Sequence, residues 1–148
     1  MLDLFAGSGA VGLEALSRGA ADVLLVEADA RAAGVIKANI ATVGLPGARL
    51  VADRVERVLA RGPDRVEQSA EPGPREFVFA DPPYAVSDDE VTRVLTLLAG
   101  GGWLAPGALV AIERATRSGP LAWPAGYETD RSRRYGEATL WYGLAAGA

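Results

Sequence analysis

The chain has 148 residues, of which 49% are hydrophobic, and its 15 Lys and Arg against 19 Asp and Glu give a formal net charge of −4. This length fits one domain with a buried core, and no apolar run approaches the roughly 18 residues of a membrane span. The chain contains no Cys and no His, which excludes a disulfide framework and a thiolate metal site and argues against zinc chemistry. We see no basic leader of the kind that opens a signal peptide, and we expect a soluble, cytoplasmic, monomeric protein that binds neither a metal nor a membrane.

The first predicted element is a short apolar strand, which runs into a glycine-rich turn and then a helix over residues 10–18. Gly7, Gly9 and Gly12 fit the spacing G-x-G-x-x-G. Glycines at these positions allow a tight turn, the close approach of a ligand to the backbone, and packing of the helix near the strand. The free N–H groups of the helix N-terminus face the same turn. The spacing indicates a nucleoside site, but alone it does not separate a nicotinamide site from other nucleoside sites.

A second predicted strand, residues 22–26, ends at Glu27. An acidic residue about 20 positions after the first glycine is typical of a carboxylate that binds the hydroxyls of a ribose. The alternative interpretation of Glu27 is an exposed charge at the end of a strand.

A helix and a third strand are predicted next. Asp29 can cap a helix that runs to about residue 43, and its predicted apolar stripe comprises Val35, Ile36, Ile40 and Val43. The third strand covers residues 49–52 and is followed by Asp53. A further helix is predicted over 54–61. Residues 62–75 are rich in Pro, Gly and charge without periodicity, which favours a long, mobile surface loop.

The tetrapeptide Asp81-Pro82-Pro83-Tyr84 follows an apolar run, residues 76–80, that is typical of a buried strand. Consecutive prolines have no N–H and a fixed φ, so their carbonyl groups can be held in place and left free to accept hydrogen bonds. Acceptors from Asp81 and the Pro82 carbonyl, beside the flat ring of Tyr84, suit a planar group that carries an exocyclic NH2. The alternative is a Pro-Pro turn with a chance Asp and Tyr.

The remaining chain is predicted to form a helix over 88–98 and a fifth strand over 108–112. Residues 127–129 and 138–144 are predicted to form a terminal hairpin across residues 131–136. The alternation of strands and helices predicts a doubly wound, mostly parallel, Rossmann-like α/β sheet with helices on both faces. The glycine loop, Glu27, Asp53 and Asp81 all fall at carboxyl ends of predicted strands, where such sheets bind ligands.

Together, the glycine loop and DPPY resemble the class I S-adenosylmethionine-dependent methyltransferases. The stretches LDLFAGSGAVGLEALSRGA, VEADARA, DPPY and GGWLAPGALVAIE resemble the bacterial small-subunit rRNA guanine-N2 methyltransferases. The resemblance implies a single catalytic domain over residues 1–148 with an antiparallel C-terminal strand. It implies S-adenosyl-L-methionine as cofactor and 16S rRNA, or a small-subunit assembly intermediate, as partner. Family members also carry a basic N-terminal arm, which this chain is expected to lack.

The resemblance also implies roles for individual residues. The cofactor would be held by Asp3, Gly7, Ser8, Gly9, Glu27, Asp53 and Arg54. The target amine and base would be held by Asp81, Pro82, Pro83 and Tyr84. Asp53 has a second interpretation as a helix cap, because it precedes a predicted helix.

Arg131, Arg133 and Arg134, with Tyr135, form a basic cluster with an adjacent aromatic ring. This cluster is interpreted either as a contact for RNA phosphates or as an ordinary charged hairpin turn. The net negative charge is at odds with the basic surface expected of a nucleic-acid-binding protein.

Three functions remain open from the sequence: an RNA amino-methyltransferase, a nicotinamide-dependent oxidoreductase, and a non-catalytic nucleoside-binding or assembly factor. The oxidoreductase leaves DPPY unexplained and would lack a catalytic His. Among methyltransferases, DNA adenine-N6 enzymes share motifs of the DPPY type.

Overall fold

The computed structural model describes residues 1–67 and 73–147. Within these two segments, seven strands form a single sheet, and five α-helices flank it. The strands are β1 (Leu2–Leu4), β2 (Val23–Val26), β3 (Ala48–Val51), β4 (Arg75–Ala80), β5 (Leu104–Ala115), β6 (Tyr127–Tyr135) and β7 (Ala138–Ala145). The helices are α1 (Ala10–Ser17), α2 (Ala30–Val43), α3 (Val55–Arg61), α4 (Pro63–Glu67) and α5 (Asp88–Gly100), and a 3-10 helix, Thr116–Ser118, follows β5.

The strand order in the sheet is β3-β2-β1-β4-β5-β7-β6. The pairs from β3 to β5 are parallel, whereas β7 runs antiparallel between β5 and β6. The order reverses beside β1, because the chain first builds outward to β3 and then returns to place β4 on the other side. This confirms the predicted fold class, including the antiparallel C-terminal strand, and it puts the switch point between β1 and β4.

Two helical layers bury the sheet from opposite sides. The larger core cluster contains Leu4, Val78 and Ile112 and packs against α3, α4 and α5. The smaller cluster joins Leu25 of β2 to Leu16 of α1 and Ile36 of α2. Strands β1 and β2 are covered on both faces and are buried at every position. Strands of this kind carry near-continuous apolar runs. None of the helices in the described segments has the length and apolar character needed to cross a bilayer.

The predicted loop over 62–75 is wrong at both ends. Pro63 begins α4, where a proline's missing N–H costs nothing, and Val66 of this helix is buried. Arg75 already belongs to β4, and its buried side chain pairs with Glu67 and Asp22. Residues 68–72 lie outside the described segments. The charged, Pro-rich sequence did not predict this short helix or the start of this strand, because tertiary contacts stabilise both and neither has a local periodic pattern.

The apolar stripe predicted for α2 is only half correct. Asp29 caps this helix as predicted, because its side chain accepts a hydrogen bond from the Ala32 N–H at 2.9 Å. Ile36 is buried, but Val35 and Val43 are 44% and 36% exposed. Val35 lies next to Ile36 in sequence and so about 100° around the helix from it, and Val43 lies in the last turn.

The terminal hairpin is longer than predicted. Its turn falls at residues 136–137, where Gly136 has φ 58°, so the predicted crossing at 131–136 is wrong. Residues 131–135 belong to β6, an edge strand that is exposed from Glu128 to Tyr135. Since neither face of this strand is buried, its sequence lacks the apolar alternation that reveals a strand.

Candidate active site

The glycine loop between β1 and α1 has the geometry expected from its spacing. Gly7 and Gly9 have φ of 61° and 81°, a region that favours glycine. The Gly9 N–H closes the turn on the Ala6 carbonyl at 2.8 Å. A Cβ at Gly12 would lie 2.8 Å from Val23 Cγ1, so this glycine lets α1 pack directly against β2. Ser8 is exposed, and its carbonyl accepts a hydrogen bond from Asn39 at 2.9 Å.

Phe5 has φ 56° and is the one non-glycine residue of the described segments with a positive φ. Such a conformation is unfavourable for a bulky side chain and is found where the surroundings enforce it, often at binding sites. Phe5 lines both of the cavities described below. Nothing in the sequence predicts that Phe5 lines a cavity, because it continues the apolar run of β1.

Glu27 fastens the glycine loop to the end of β2. Its Oε1 accepts the Gly7 N–H at 2.7 Å, and its Oε2 accepts the Asp29 N–H at 2.9 Å. Each carboxylate oxygen can accept more than one hydrogen bond, so Glu27 keeps capacity for hydroxyl donors. It also lines both cavities.

Asp3 lies beneath the loop. Its side chain is 1% exposed, and its Oδ2 accepts the Gly12 N–H at 3.0 Å. Burial raises the pKa of Asp3 to about 7, although the hydrogen bond from Gly12 opposes the rise. The charges of Asp81 and Glu27 also contribute to this rise. Asp3 therefore supports the loop from below, and the direct cofactor contact implied by the resemblance stays a prediction.

The neighbouring residues Asp53 and Arg54 differ in their relation to the cavities described below. The Asp53 carboxylate accepts the Arg54 N–H at 2.7 Å and pairs with Arg61 at 2.5 Å. These contacts hold the pKa of Asp53 below its ordinary value. Asp53 does not line either cavity, whereas Arg54 lines the smaller one. The interpretation of Asp53 as a helix cap is wrong, because Arg54 is the N-cap residue of α3 and the Asp53 carboxylate accepts from the adjacent Arg54 N–H rather than from an N–H inside the helix. The adenine contact implied by the resemblance stays a prediction.

The DPPY segment leaves β4 at the switch point. The Asp81 N–H still pairs with the Leu4 carbonyl at 3.4 Å, and the Pro83 carbonyl accepts the Val86 N–H at 2.9 Å. Within the described segments the Pro82 carbonyl accepts no hydrogen bond, as expected for an acceptor held for a ligand. Tyr84 is 76% exposed, and the Arg117 guanidinium lies 5.6 Å from the centre of its ring.

Two cavities meet at this end of the sheet, of about 490 Å³ and about 300 Å³. They share Phe5, Glu27 and Pro83. The larger cavity is further lined by Gly7, Asp81, Pro82, Tyr84, Glu113, Arg114, Ala115, Arg117, Ser118 and Ala138. The smaller cavity is further lined by Ala28, Asp29, Arg54, Val55, Glu56, Val86, Glu90 and Val94. The structure thus brings together the loop, Glu27 and DPPY, as the strand-end argument predicted.

Sequence reasoning missed Glu113 and Arg117. Glu113 follows the apolar run of β5, so the strand-end signal that identified Glu27 and Asp81 was present there too. Arg117 lies in the 3-10 helix after β5 and had no recognisable sequence signal.

The arginines of β6 do not line either cavity. All three are exposed. Arg131 and Arg133 pair with Tyr142 and Leu140 of β7 and share one face of the sheet, while Arg134 lies on the other face. The Arg131 guanidinium lies 4.9 Å from the centre of the Tyr142 ring. In the described part of the chain, no group of three or more acidic residues is arranged to hold a metal ion.

Comparison with known proteins places the chain in a family. The sequence profile described as conserved hypothetical protein 95 matches residues 1–143. Ribosomal RNA small subunit methyltransferase D of Escherichia coli K12 is 37% identical over 136 residues, which are 92% of this chain and 63% of that protein. The Haemophilus influenzae protein of the same name is 33% identical over 83% of this chain and 60% of its own length. The chain therefore spans somewhat under two thirds of the length of these relatives.

Solved structures show the same architecture. A putative methyltransferase of E. coli, yhhF, superposes with a TM-score of 0.82 at 34% identity, over 98% of this chain and 75% of that one. TrmN from Thermus thermophilus superposes with a TM-score of 0.73 over 98% of this chain and 43% of its own, at 21% identity, which shows likeness of fold alone. The chain thus has the class I methyltransferase fold and belongs to the family described as conserved hypothetical protein 95.

Proposed function

We propose that this protein transfers a methyl group from S-adenosyl-L-methionine to the exocyclic N2 amine of a guanine in small-subunit rRNA. The observation that carries the proposal is the meeting of the glycine loop, Glu27 and DPPY around two adjoining cavities. The names of the relatives support ribosomal RNA as the substrate. An oxidoreductase would leave the free Pro82 carbonyl and exposed Tyr84 unexplained.

The residues present fit the cofactor. Glu27 stands where the cavities join and keeps acceptor capacity for a ribose diol, and Gly7 presents backbone without a side chain beside it. Gly9 lines neither cavity and is buried against Leu25 and Ile36. Val55 and Val94, in the smaller cavity, offer apolar surface for an adenine ring, with Arg54 at its margin. When bound, S-adenosyl-L-methionine supplies a methyl group bonded to a positively charged sulfur. The sulfur is an excellent leaving group, because it departs as a neutral thioether.

The acceptor side is built to hold an amine. Asp81 and the Pro82 carbonyl can accept its two N–H groups, and the exposed ring of Tyr84 can stack on the base, which is worth about 1–3 kcal/mol. An exocyclic guanine amine is a poor nucleophile, because its lone pair is delocalised into the ring. Two acceptors would favour a more tetrahedral nitrogen and stabilise the positive charge that develops on it.

The surface around the larger cavity supports a nucleic-acid substrate despite the net charge of −4. Arg117 lies beside Tyr84 at the cavity mouth. Arg131 and Arg133 project from the face of the sheet that also carries Glu113, since Arg133 and Glu113 both pair with Leu140. Phosphates flanking a base in the cavity would meet these side chains. The base itself must be splayed out of its helix to enter.

Methyl transfer to purified RNA tests the proposal. We expect the protein, given labelled S-adenosyl-L-methionine, to methylate 16S rRNA from a strain that lacks the gene, and nucleoside mass analysis to identify N2-methylguanosine at one position. Asp81→Ala is the matched inactive control. Label in N6-methyladenosine, or no label under conditions where the cofactor binds, would refute the assignment.

A further inference from the structure

Glu113 is one of three carboxylates that line the larger cavity, with Glu27 and Asp81, and it stands beside Asp81. Strands β4 and β5 are parallel with Ala80 opposite Ile112. Asp81 follows Ala80 directly after the end of β4, and Glu113 follows Ile112 within β5. Because each follows one member of this pair, both side chains leave the sheet on the same face as neighbours. Both side chains line the larger cavity, and their carboxyl groups lie close enough for the charge of Asp81 to act on Glu113.

The fold gives no reason for this pair. Two carboxylates side by side repel each other when both are ionised. Burial, followed by the hydrogen bond and charge of Asp81, raises the pKa of Glu113. No Arg or Lys of the described segments forms an ion pair with Glu113; Arg114, its neighbour, points to Asp88, with 2.8 Å between Nη2 and Oδ1. An unfavourable arrangement at the wall of a cavity is the kind retained for a ligand.

The ligand chemistry that fits two adjacent acceptors is a base with two adjacent donors. The Watson–Crick edge of guanine presents N2–H beside N1–H. Adenine and cytosine present an amine beside a ring nitrogen that accepts. An ionised carboxylate facing that ring nitrogen would be repelled, whereas facing N1–H it forms a charge-assisted hydrogen bond.

We propose that Glu113 selects guanine by accepting the N1–H while Asp81 and the Pro82 carbonyl accept the N2 amine. The guanine edge then takes the place of the contact between the two carboxyl groups. Glu113 is thus a base-contacting specificity residue, separate from the residues that hold the amine or the cofactor. The inference rests on the proposed function and adds the residue that distinguishes one amino-bearing base from another.

The test compares guanosine with 2-aminopurine at the methylated nucleotide of one synthetic RNA. 2-Aminopurine keeps the reacting 2-amino group, but its N1 is an acceptor. We expect the wild-type protein to favour guanosine in kcat/KM by at least about 100-fold, because a site built around a donor rejects an analogue without it. Glu113→Gln should reduce that preference about tenfold or more, since a carboxamide can accept from N1–H or donate to N1.

Glu128→Gln is the matched control, because it removes the same charge from an exposed position of β6; its preference should equal that of the wild type. A wild-type protein that methylates both RNAs equally, or prefers 2-aminopurine, overturns the inference without reference to any variant. Equal losses on both RNAs for Glu113→Gln would also overturn it, since they would indicate a structural role. If the wild type methylates neither RNA, the proposed function fails, and the specificity role falls with it.

Discussion

Replacing Gly12 by Ala should destabilise the protein, although Ala is the better helix former. Gly12 lies in α1, and a Cβ there would come within 2.8 Å of Val23 Cγ1 and 2.9 Å of Asp3 Oδ2. The propensity gain of about 1 kcal/mol is opposed by an overpacking cost of about 1–3 kcal/mol. Displacement of Asp3 also weakens its buried hydrogen bond to the Gly12 N–H, worth about 1–2 kcal/mol. The expected net loss is about 1–4 kcal/mol.

Gly34→Ala is the matched control. Gly34 lies in α2 with a negative φ, and a Cβ there would have no atom within 4 Å. This variant should gain roughly 0.5–1 kcal/mol. Urea unfolding of the two variants and the wild type, followed by circular dichroism, measures both free energies. If Gly12→Ala were as stable as Gly34→Ala, the close packing of α1 on β2 would not be what requires this glycine.

Four further predictions concern the site. Glu27→Ala should weaken binding of S-adenosyl-L-methionine by about 1.5–3 kcal/mol in calorimetry and also loosen the loop, because the carboxylate holds two backbone N–H groups; unchanged affinity would remove it from the cofactor site. Asp81→Ala should abolish methyl transfer while it leaves cofactor affinity nearly intact, and near wild-type turnover would contradict the mechanism. Arg133→Gln should lower RNA affinity and flatten the dependence of log K on log salt by about one unit; Arg134→Gln, on the opposite face, should do so less, and equal effects would show that the face does not matter. Because the pKa of Asp3 rises from 3.8 to about 7 on folding, its contribution to stability is greatest below pH 4 and is lost as the pH rises towards 7; Asp3→Asn should flatten the unfolding free energy over that interval, and an unaltered pH profile would exclude Asp3 as its source.

The fold was predictable because its signals are local. A strand buried on both faces carries a near-continuous apolar run, as β2 does over Val23–Val26. The segments that escaped prediction depend on distant partners. Helix α4 is held by Val66 in the core and by contacts between Glu67 and Arg75. Strand β6 has no buried face and is defined only by its pairing with β7.

The candidate site was predictable where a residue's place along its own strand was enough, as for Glu27 and Asp81. Glu113 obeys the same rule, but its significance comes from the register of β4 against β5, which a sequence does not contain. The adenine contact implied for Asp53 stays a prediction, and its carboxylate already pairs with Arg57 and Arg61 of α3. These two pairings can be predicted from the sequence. Arg57 and Arg61 follow Asp53 by four and eight residues, so a helix that begins after Asp53 places both charges on the same face.

The position of β7 has a consequence for how the chain acquires its structure. β7 is the last strand in chain order, yet it lies inside the sheet and joins β6 to β5. Until β7 is added, the long edge of β5 offers unpaired N–H and C=O groups to any other extended chain. During synthesis, the strands that form the two core clusters leave the ribosome before β7 does. Closure of the sheet is then the last event, and Ala138, in the cavity wall, arrives with it. A chain that stalls before this step should be compact, inactive and prone to self-association.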